Sequence, residues 1–128
     1  VADWRTSNAA SDKIKKQPGA HAPSLEMTEN PDILKTISTA GNKRPTLVVG
    51  FAAETSDVIS NAKEKRTRKG CDWIVANNVS PETGTLSGDS NTVHLITEAG
   101  VEDWPKMTKT DVAQQLTHRI AQYFEAAE

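Results

Sequence analysis

Apolar positions fall into short runs separated by polar, glycine- and proline-bearing stretches. Leu47, Val48 and Val49 form an unbroken apolar run, the mark of a strand buried on both faces. Gly50, Phe51, Ala52 and Ala53 then read as a tight small-residue turn. Residues 56–69 carry apolar positions at helical spacing, and Gly70 supplies the stop. Residues 72–76, with Trp73, Ile74 and Val75, form the next strand. Strand, helix and strand within about thirty residues predict a right-handed βαβ unit with parallel strands.

The flanking segments are shorter and more polar. Val1 to Trp4 resembles the tail of a strand already under way, while residues 5–24 show neither helical nor strand periodicity. Leu25 and Met27 alternate with polar neighbours, as in a short strand. Asn30-Pro31-Asp32 predicts a helix start, with Asn30 as N-cap and Pro31 at the first helical position. Ile33, Leu34 and Ile37 supply that helix's apolar face, and Gly41 its end. Residues 79–91 are a loop rich in Ser, Pro, Thr, Gly and Asp. Residues 92–96 alternate as a strand, Glu98-Ala99-Gly100 turns the chain, and residues 101–104 make a partner strand before Pro105. Thr108 and Asp111 have the spacing of a capping box, opening a last helix that buries Val112, Leu116, Ile120 and either Tyr123 or Phe124. The expected fold is an α/β, three-layer, Rossmann-like single domain over residues 1–128. Val48, Ile74 and the entry strand at Ala2 share its mainly parallel sheet, which is incomplete at the N-terminus.

Composition narrows the classes. A chain of 128 residues, 36% hydrophobic and 25% charged, fits a polar globular domain. A net charge of -2 gives no global field for nucleic acid or membrane, so any basic site is local. The single cysteine, Cys71, excludes an internal disulfide framework and a multi-cysteine metal site. No apolar run reaches membrane-spanning length and no signal peptide is visible, so a cytoplasmic protein is expected. With no initiator methionine and a first strand already under way, a fragment or the processed remainder of a longer protein is expected.

Candidate chemistry centres on the helix after Val49. A strand that turns into a helix in an open α/β sheet marks a ligand crevice. Val58, Ala62, Lys65 and Lys69 recur at +4, +3 and +4, which puts them on one stripe of that helix. If Val58 and Ala62 face the sheet, Lys65 and Lys69 continue the inward face, where an ammonium is costly unless an anion meets it. A basic last turn also suits the helix dipole by itself, and Gly50 to Ala53 also suit ordinary strand-to-helix packing. Arg66 lies off the stripe. Lys13-Ile14-Lys15-Lys16 is either solvated charge or a flap that places a lysine over a polyphosphate. Phosphate-loop and dinucleotide glycine fingerprints are both missing. His21, His94 and His118 are not at metal-ligand spacing; His94 and His118 read as structural, and Cys71 as a small buried side chain.

Taken in order, these motifs resemble one family. Val-Ala-Asp-Trp is followed by Lys-Ile-Lys-Lys ten residues beyond the Asp, then Asn-Pro-Asp-Ile-Leu and Val-Gly-Phe-Ala-Ala-Glu-Thr. Last comes Ala-x-x-Lys-x-x-x-Lys-Gly-x-Asp-x-Ile-Val-Ala-Asn. The set is similar to phosphopantothenate–cysteine ligase, the bacterial phosphopantothenoylcysteine synthetase of coenzyme A biosynthesis, over nearly the whole chain. The resemblance implies CTP-dependent ligation of 4′-phosphopantothenate with cysteine through an acyl-cytidylate, with Mg2+ and no metal ligand identified. It implies nucleotide contacts from Asp3, from Pro31, Asp32, Ile33 and Leu34 through backbone groups, from Phe51, and from Lys65 and Lys69 at the phosphates. Lys13 becomes a flap lysine that contacts the nucleotide and serves catalysis. A homodimer is implied, with residues 92–96 a candidate contact. Bacterial members are fused behind a flavin-dependent decarboxylase, and no flavin is expected on this stretch. The family's glycine-rich loop and catalytic asparagine precede the Val-Ala-Asp motif and are not in this sequence, so this stretch alone is expected to be inactive. The competing expectation is a non-catalytic nucleotide-binding or interaction domain; a dinucleotide oxidoreductase lacks its fingerprint.

Overall fold

The computed structural model describes residues 2–8, 10–83 and 88–128. In chain order its elements begin with β1 (Trp4–Thr6), β2 (Met27–Glu29), α1 (Ile33–Ser38), β3 (Val49–Glu54), α2 (Val58–Lys69) and β4 (Trp73–Asn78). They continue with β5 (Ser90–Asn91), β6 (Val93–Thr97), β7 (Gly100–Asp103), β8 (Met107–Thr108) and α3 (Lys109–Ala127). The main sheet has the order β3-β4-β6-β7, and β1-β2 and β5-β8 are separate two-stranded pairs.

The βαβ unit forms as expected. β3 and β4 run parallel, Val49 opposite Trp73 through Glu54 opposite Asn78, with α2 as the crossover. Gly70 ends α2 in the left-handed region, its N–H donating to the Arg66 carbonyl. The strand itself is longer and later than the apolar run suggests. Gly50 to Ala53 are part of β3, not a turn, and the chain turns only at Asp57, whose φ is 46°. Their small size serves close packing: Ala52 is fully buried in one cluster with Ala62, Ile74 and Ala76. A Cβ on Gly50 would stand 2.5 Å from Leu34 Cδ2 and 2.9 Å from Ile74 Cδ1.

The remaining pairings correct the expected mainly parallel sheet. β4–β6 and β6–β7 are both antiparallel. The physical reason is connection type: among the described residues no α-helix lies between β4 and β6, and the Glu98-Ala99-Gly100 turn folds β7 back on β6 as a hairpin. The entry strand also lies elsewhere. β1 pairs antiparallel with β2, Trp4 opposite Glu29, outside the main sheet, and all three of its residues are exposed. Val1 lies outside the described residues, as do residues 84–87 of the expected 79–91 loop; the rest of that loop includes a 3-10 turn at Pro81–Thr83 and β5.

Strand alternation divides the core into two layers. Ile74, Ala76 and Ile96 face α2 and α1, whereas Trp73, Val75, Val93 and Leu95 face α3. Val112, Leu116, Ile120 and Tyr123 form the inward stripe of α3, and Phe124 is the exposed alternative. The Thr108 hydroxyl accepts from Asp111 N at 3.1 Å, completing the expected cap. β6 lies between β4 and β7, and Val93, Leu95 and Ile96 are buried, so a dimer contact through residues 92–96 finds only Thr92 exposed. Cys71 is buried, which pushes its thiol above the ordinary range. His94 pairs with Asp103 at 2.6 Å and His118 lies 3.1 Å from the Gln122 amide nitrogen, both consistent with structural roles.

Gly50→Ala is expected to destabilise the fold by about 1–3 kcal/mol, because Leu34 can yield but Ile74, fully buried, cannot. Chemical denaturation with intrinsic fluorescence checks this; an unchanged midpoint refutes the close-approach role.

Candidate functional site

α1 and α2 meet on one face of the sheet beside β3, and their ends converge there. Leu34 of α1 packs into the cluster of Ala52, Ala62 and Ile74, fixing the short helix over the strand. Its start is two residues later than the sequence predicts. Asp32, not Asn30, is the N-cap, with an extended backbone and Oδ1 accepting from Lys35 N at 2.9 Å. Asn30 is engaged elsewhere: its side-chain amide donates to the Ala2 carbonyl at 2.8 Å, and its Oδ1 accepts from Arg5 at 3.0 Å. Ile33 and Ile37 remain exposed, so Leu34 is the apolar side chain that anchors the helix to the core. The helix ends at Ser38 with Thr39 as C-cap, and Gly41 opens a separate 3-10 turn instead.

The inward stripe of α2 is as the register predicts. Ala62 is fully buried, Val58 packs on the core, and Lys65 and Lys69 continue the line half-buried. Lys65 Nζ donates to the Phe51 carbonyl at 2.7 Å, and Lys69 Nζ is held by Asp32 Oδ2. The anion required by an inward lysine is therefore supplied by α1. The hydrogen bond from Lys69, with a second from the Lys35 backbone, holds the Asp32 carboxyl below its ordinary range. Arg66, off the stripe, turns away and donates to the Asp72 carbonyl at 2.6 Å.

These contacts bring Asp32, Leu34, Phe51, Lys65 and Lys69 into one patch along β3. Phe51 keeps 63% of its surface exposed, leaving an aromatic face beside two cations and one carboxylate. Asp3 joins through the backbone, its carbonyl accepting from Asn30 N at 2.8 Å next to Pro31. Lys13 is not brought in: it is exposed and makes no hydrogen bond or ion pair with any described residue. Such a patch can receive a flat ring and an anionic tail side by side.

Sequence reasoning missed two of its supports. From sequence, Asp32 is expected as an acid in the first helical turn and as a backbone contact, not as the carboxylate that an inward Lys69 requires. Arg44 was not singled out, yet its guanidinium donates to the carbonyls of Ser38, Pro45 and Gly70 and to Asp72 Oδ2, tying the ends of α1 and α2 together. Asp72 in turn accepts from Val48 N at 2.7 Å.

Comparison with known proteins agrees with the resemblance read from the motif order. The model of the DNA/pantothenate metabolism flavoprotein C-terminal domain matches residues 1–124. The chain is 38% identical over 126 residues to the coenzyme A biosynthesis bifunctional protein CoaBC of Escherichia coli (strain K12), covering 98% of this chain and 31% of that protein. Its counterpart from Vibrio cholerae is 37% identical over 120 residues, covering 94% of this chain and 30% of the relative. The chain thus spans about a third of the length of these relatives. Among solved structures, the C-terminal domain of a CoaBC protein superposes with a TM-score of 0.69 at 29% identity, covering 98% of this chain and 52% of that one. A DNA/pantothenate metabolism flavoprotein from Streptococcus pneumoniae, 18% identical with a TM-score of 0.64 over 85% of this chain and 46% of its own, shares the fold.

Asp32→Ala removes both cap and ion pair, and a cost of about 1 kcal/mol is expected from the cap alone. Because the folded-state ionisation of Asp32 is depressed, its charge contributes stability above the ordinary carboxyl value of 3.8 and loses it as pH falls through the folded value. The gap between wild type and Asp32→Ala in thermal denaturation should therefore be widest near neutrality and narrow in acid. A constant gap would show that the charge adds nothing.

Proposed function

The chain belongs to the DNA/pantothenate metabolism flavoprotein C-terminal domain family, and from that premise we propose that it forms part of a CTP-dependent ligase in coenzyme A biosynthesis. The reaction joins 4′-phosphopantothenate to cysteine. The phosphopantothenate carboxylate attacks the α-phosphate of CTP, pyrophosphate leaves, and the cysteine amine then displaces CMP from the acyl-cytidylate. Residues 1–128 form the C-terminal portion of the ligase domain, the protein acts as a cytoplasmic homodimer, and neither nucleic acid nor membrane is a partner.

The observation that carries this reading is the convergence of Lys65 and Lys69 with Asp32 and Phe51 along β3. Both ammonium groups already engage oxygen acceptors, and phosphate oxygens can take the place of those acceptors. Phe51 offers a face to the nucleoside, while backbone groups of Pro31, Asp32, Ile33 and Leu34 approach the cytosine and Asp3 contacts the nucleotide from the β1 side. Lys13 stabilises charge developing on phosphoryl and carbonyl oxygens. Among the described residues no three His, Cys, Asp or Glu side chains converge on one point. Mg2+ is therefore assigned to the nucleotide's phosphates, where it commonly resides with most of its water shell. The alternative, a non-catalytic nucleotide-binding module, is favoured by the lack of any tie between Lys13 and the patch. Pyrophosphate release by the full-length protein, dependent on both phosphopantothenate and CTP, separates the two; nucleotide binding without release would establish the module.

Lys69→Ala in the full-length protein should weaken CTP binding about ten- to a hundredfold, since a charged hydrogen bond contributes roughly 1.5–3 kcal/mol. Arg66→Ala should do less, and calorimetry giving equal effects would refute the stripe assignment. Lys13→Ala should lower turnover by about a hundred- to a thousandfold and leave stability within about 0.5 kcal/mol. Lys16→Ala serves as the comparison, expected to retain most activity; near-wild-type turnover for Lys13→Ala would reduce the lysine run to solvated charge.

A further inference from the structure

Lys65 and Lys69 lie one turn apart on the same stripe, but their partners differ in kind. Lys65 rests on a neutral acceptor, the Phe51 carbonyl, whereas Lys69 rests on a full negative charge. Asp32 divides its carboxylate between two tasks. Oδ1 closes the start of α1 on Lys35 N, and Oδ2 holds the ammonium. The pair is at the rim of the site, the Lys69 side chain 20% exposed and that of Asp32 38%.

We infer that the Asp32 carboxylate competes with phosphate for Lys69 and so sets how tightly the site retains a polyphosphate. The inference rests on the nucleotide reading and deepens it. A phosphate oxygen seeking Lys69 meets a like charge already bound to that ammonium. Either the lysine turns from Asp32 to the phosphate or the two anions share it, and both outcomes oppose retention. The competitor is charged near neutrality, as any carboxyl of ordinary acidity is, and the hydrogen bond from Lys69 holds it lower still while the pair is closed. It is also always in place. The Oδ1 cap on Lys35 fixes the side chain whichever partner Oδ2 has, so releasing Lys69 does not unravel α1. A reaction that consumes a nucleoside triphosphate and must release pyrophosphate gains from such a competitor: the polyphosphate is held by cations that a fixed acid can reclaim.

The test is calorimetry of CTP and of inorganic pyrophosphate with the full-length protein, comparing wild type, Asp32→Asn, Lys69→Ala and the double variant. Asp32→Asn keeps an acceptor for Lys35 and replaces the charged acceptor of Lys69 with an amide NH2. It is expected to tighten pyrophosphate binding about two- to fivefold, the range of a partly exposed ion pair. It should have no effect once Lys69 is alanine, a coupling that a merely structural role would not produce. Unchanged or weaker pyrophosphate binding in Asp32→Asn, with wild type binding normally, overturns the inference and leaves the nucleotide reading standing. No binding of either ligand by wild type overturns both. A second measurement does not depend on ligand or on any Asp32 variant: carbon NMR of the Asp32 carboxyl should show titration below the ordinary range, rising toward it in Lys69→Ala. An ordinary titration in wild type overturns the pair on which the inference stands.

Discussion

Two parallel strands can be joined only by a crossover that passes over one face of their sheet, and here the crossover helix lies close against β3 and β4. Ala62 of α2 shares a fully buried contact layer with Ala52 and Ala76, residues small enough to let the helix approach. That proximity fixes the phase of α2, and the phase decides what its next two turns can do. With Ala62 buried, Lys65 and Lys69 cannot swing to the solvent side of the helix; they project along β3 toward its open edge. The same economy of volume admits α1. Gly50 has no Cβ to obstruct Leu34, and the short helix settles where its capping acid reaches Lys69. The local charge arrangement thus follows from alanine and glycine at the helix–sheet contact.

The opposite face of the sheet is built for rigidity. Tyr123 meets Trp73 edge-on with ring centroids 5.5 Å apart. Arg119 donates from Nε to Glu102 Oε2 at 3.1 Å, and its guanidinium lies 5.7 Å from the centre of the Trp73 ring. This arginine holds the Glu102 carboxyl below its ordinary range and joins α3 to β7. Partly exposed ion pairs add little free energy each, so the aromatic and aliphatic contacts of Val112, Leu116, Ile120 and Tyr123 carry that layer. Its consequence for the site is indirect: β4 is clamped from below, so the strand that partners β3 cannot shift.

Helix phase was legible because it depends on spacing alone. Val58, Ala62, Lys65 and Lys69 announce a common stripe, and the need of an inward ammonium for an anion was legible with it, but that Asp32 of α1 supplies the anion was not. The capping box at Thr108 and the hairpin at Glu98-Ala99-Gly100 were legible for the same local reason. Strand direction beyond the crossover was not. Nothing in the composition of residues 92–96 states whether that strand returns parallel or antiparallel, since a buried strand alternates equally in both. The start of α1 was misplaced because Asn30 and Asp32 are both good caps; tertiary contact decided, by drawing Asn30 onto Ala2 and Arg5. Gly50 to Ala53 read as a turn because small residues suit turns and close packing alike, and only the position of α1 and α2 tells them apart.

The β1–β2 pair stands in contrast to this framework. Its register is held by three residue pairs, by Asn30 reaching back to Ala2, and by Arg5 donating to the Glu29 carbonyl at 2.9 Å, with no buried apolar side chain between its strands. Hydrogen bonds exposed to water contribute modestly, so this arm has a small free-energy hold on its own position. Trp4, Leu25 and Met27 keep half or more of their surface exposed on it. The segment between the strands, which carries Lys13, therefore joins the molecule through an exposed ladder of three residue pairs, while Lys65 and Lys69 project from a helix packed on the buried core. A site assembled from both must obtain its precision from α2 and its adaptability from the arm. The phosphate recognition proposed for the helix and the charge stabilisation proposed for the segment would divide the chemistry along that same mechanical boundary.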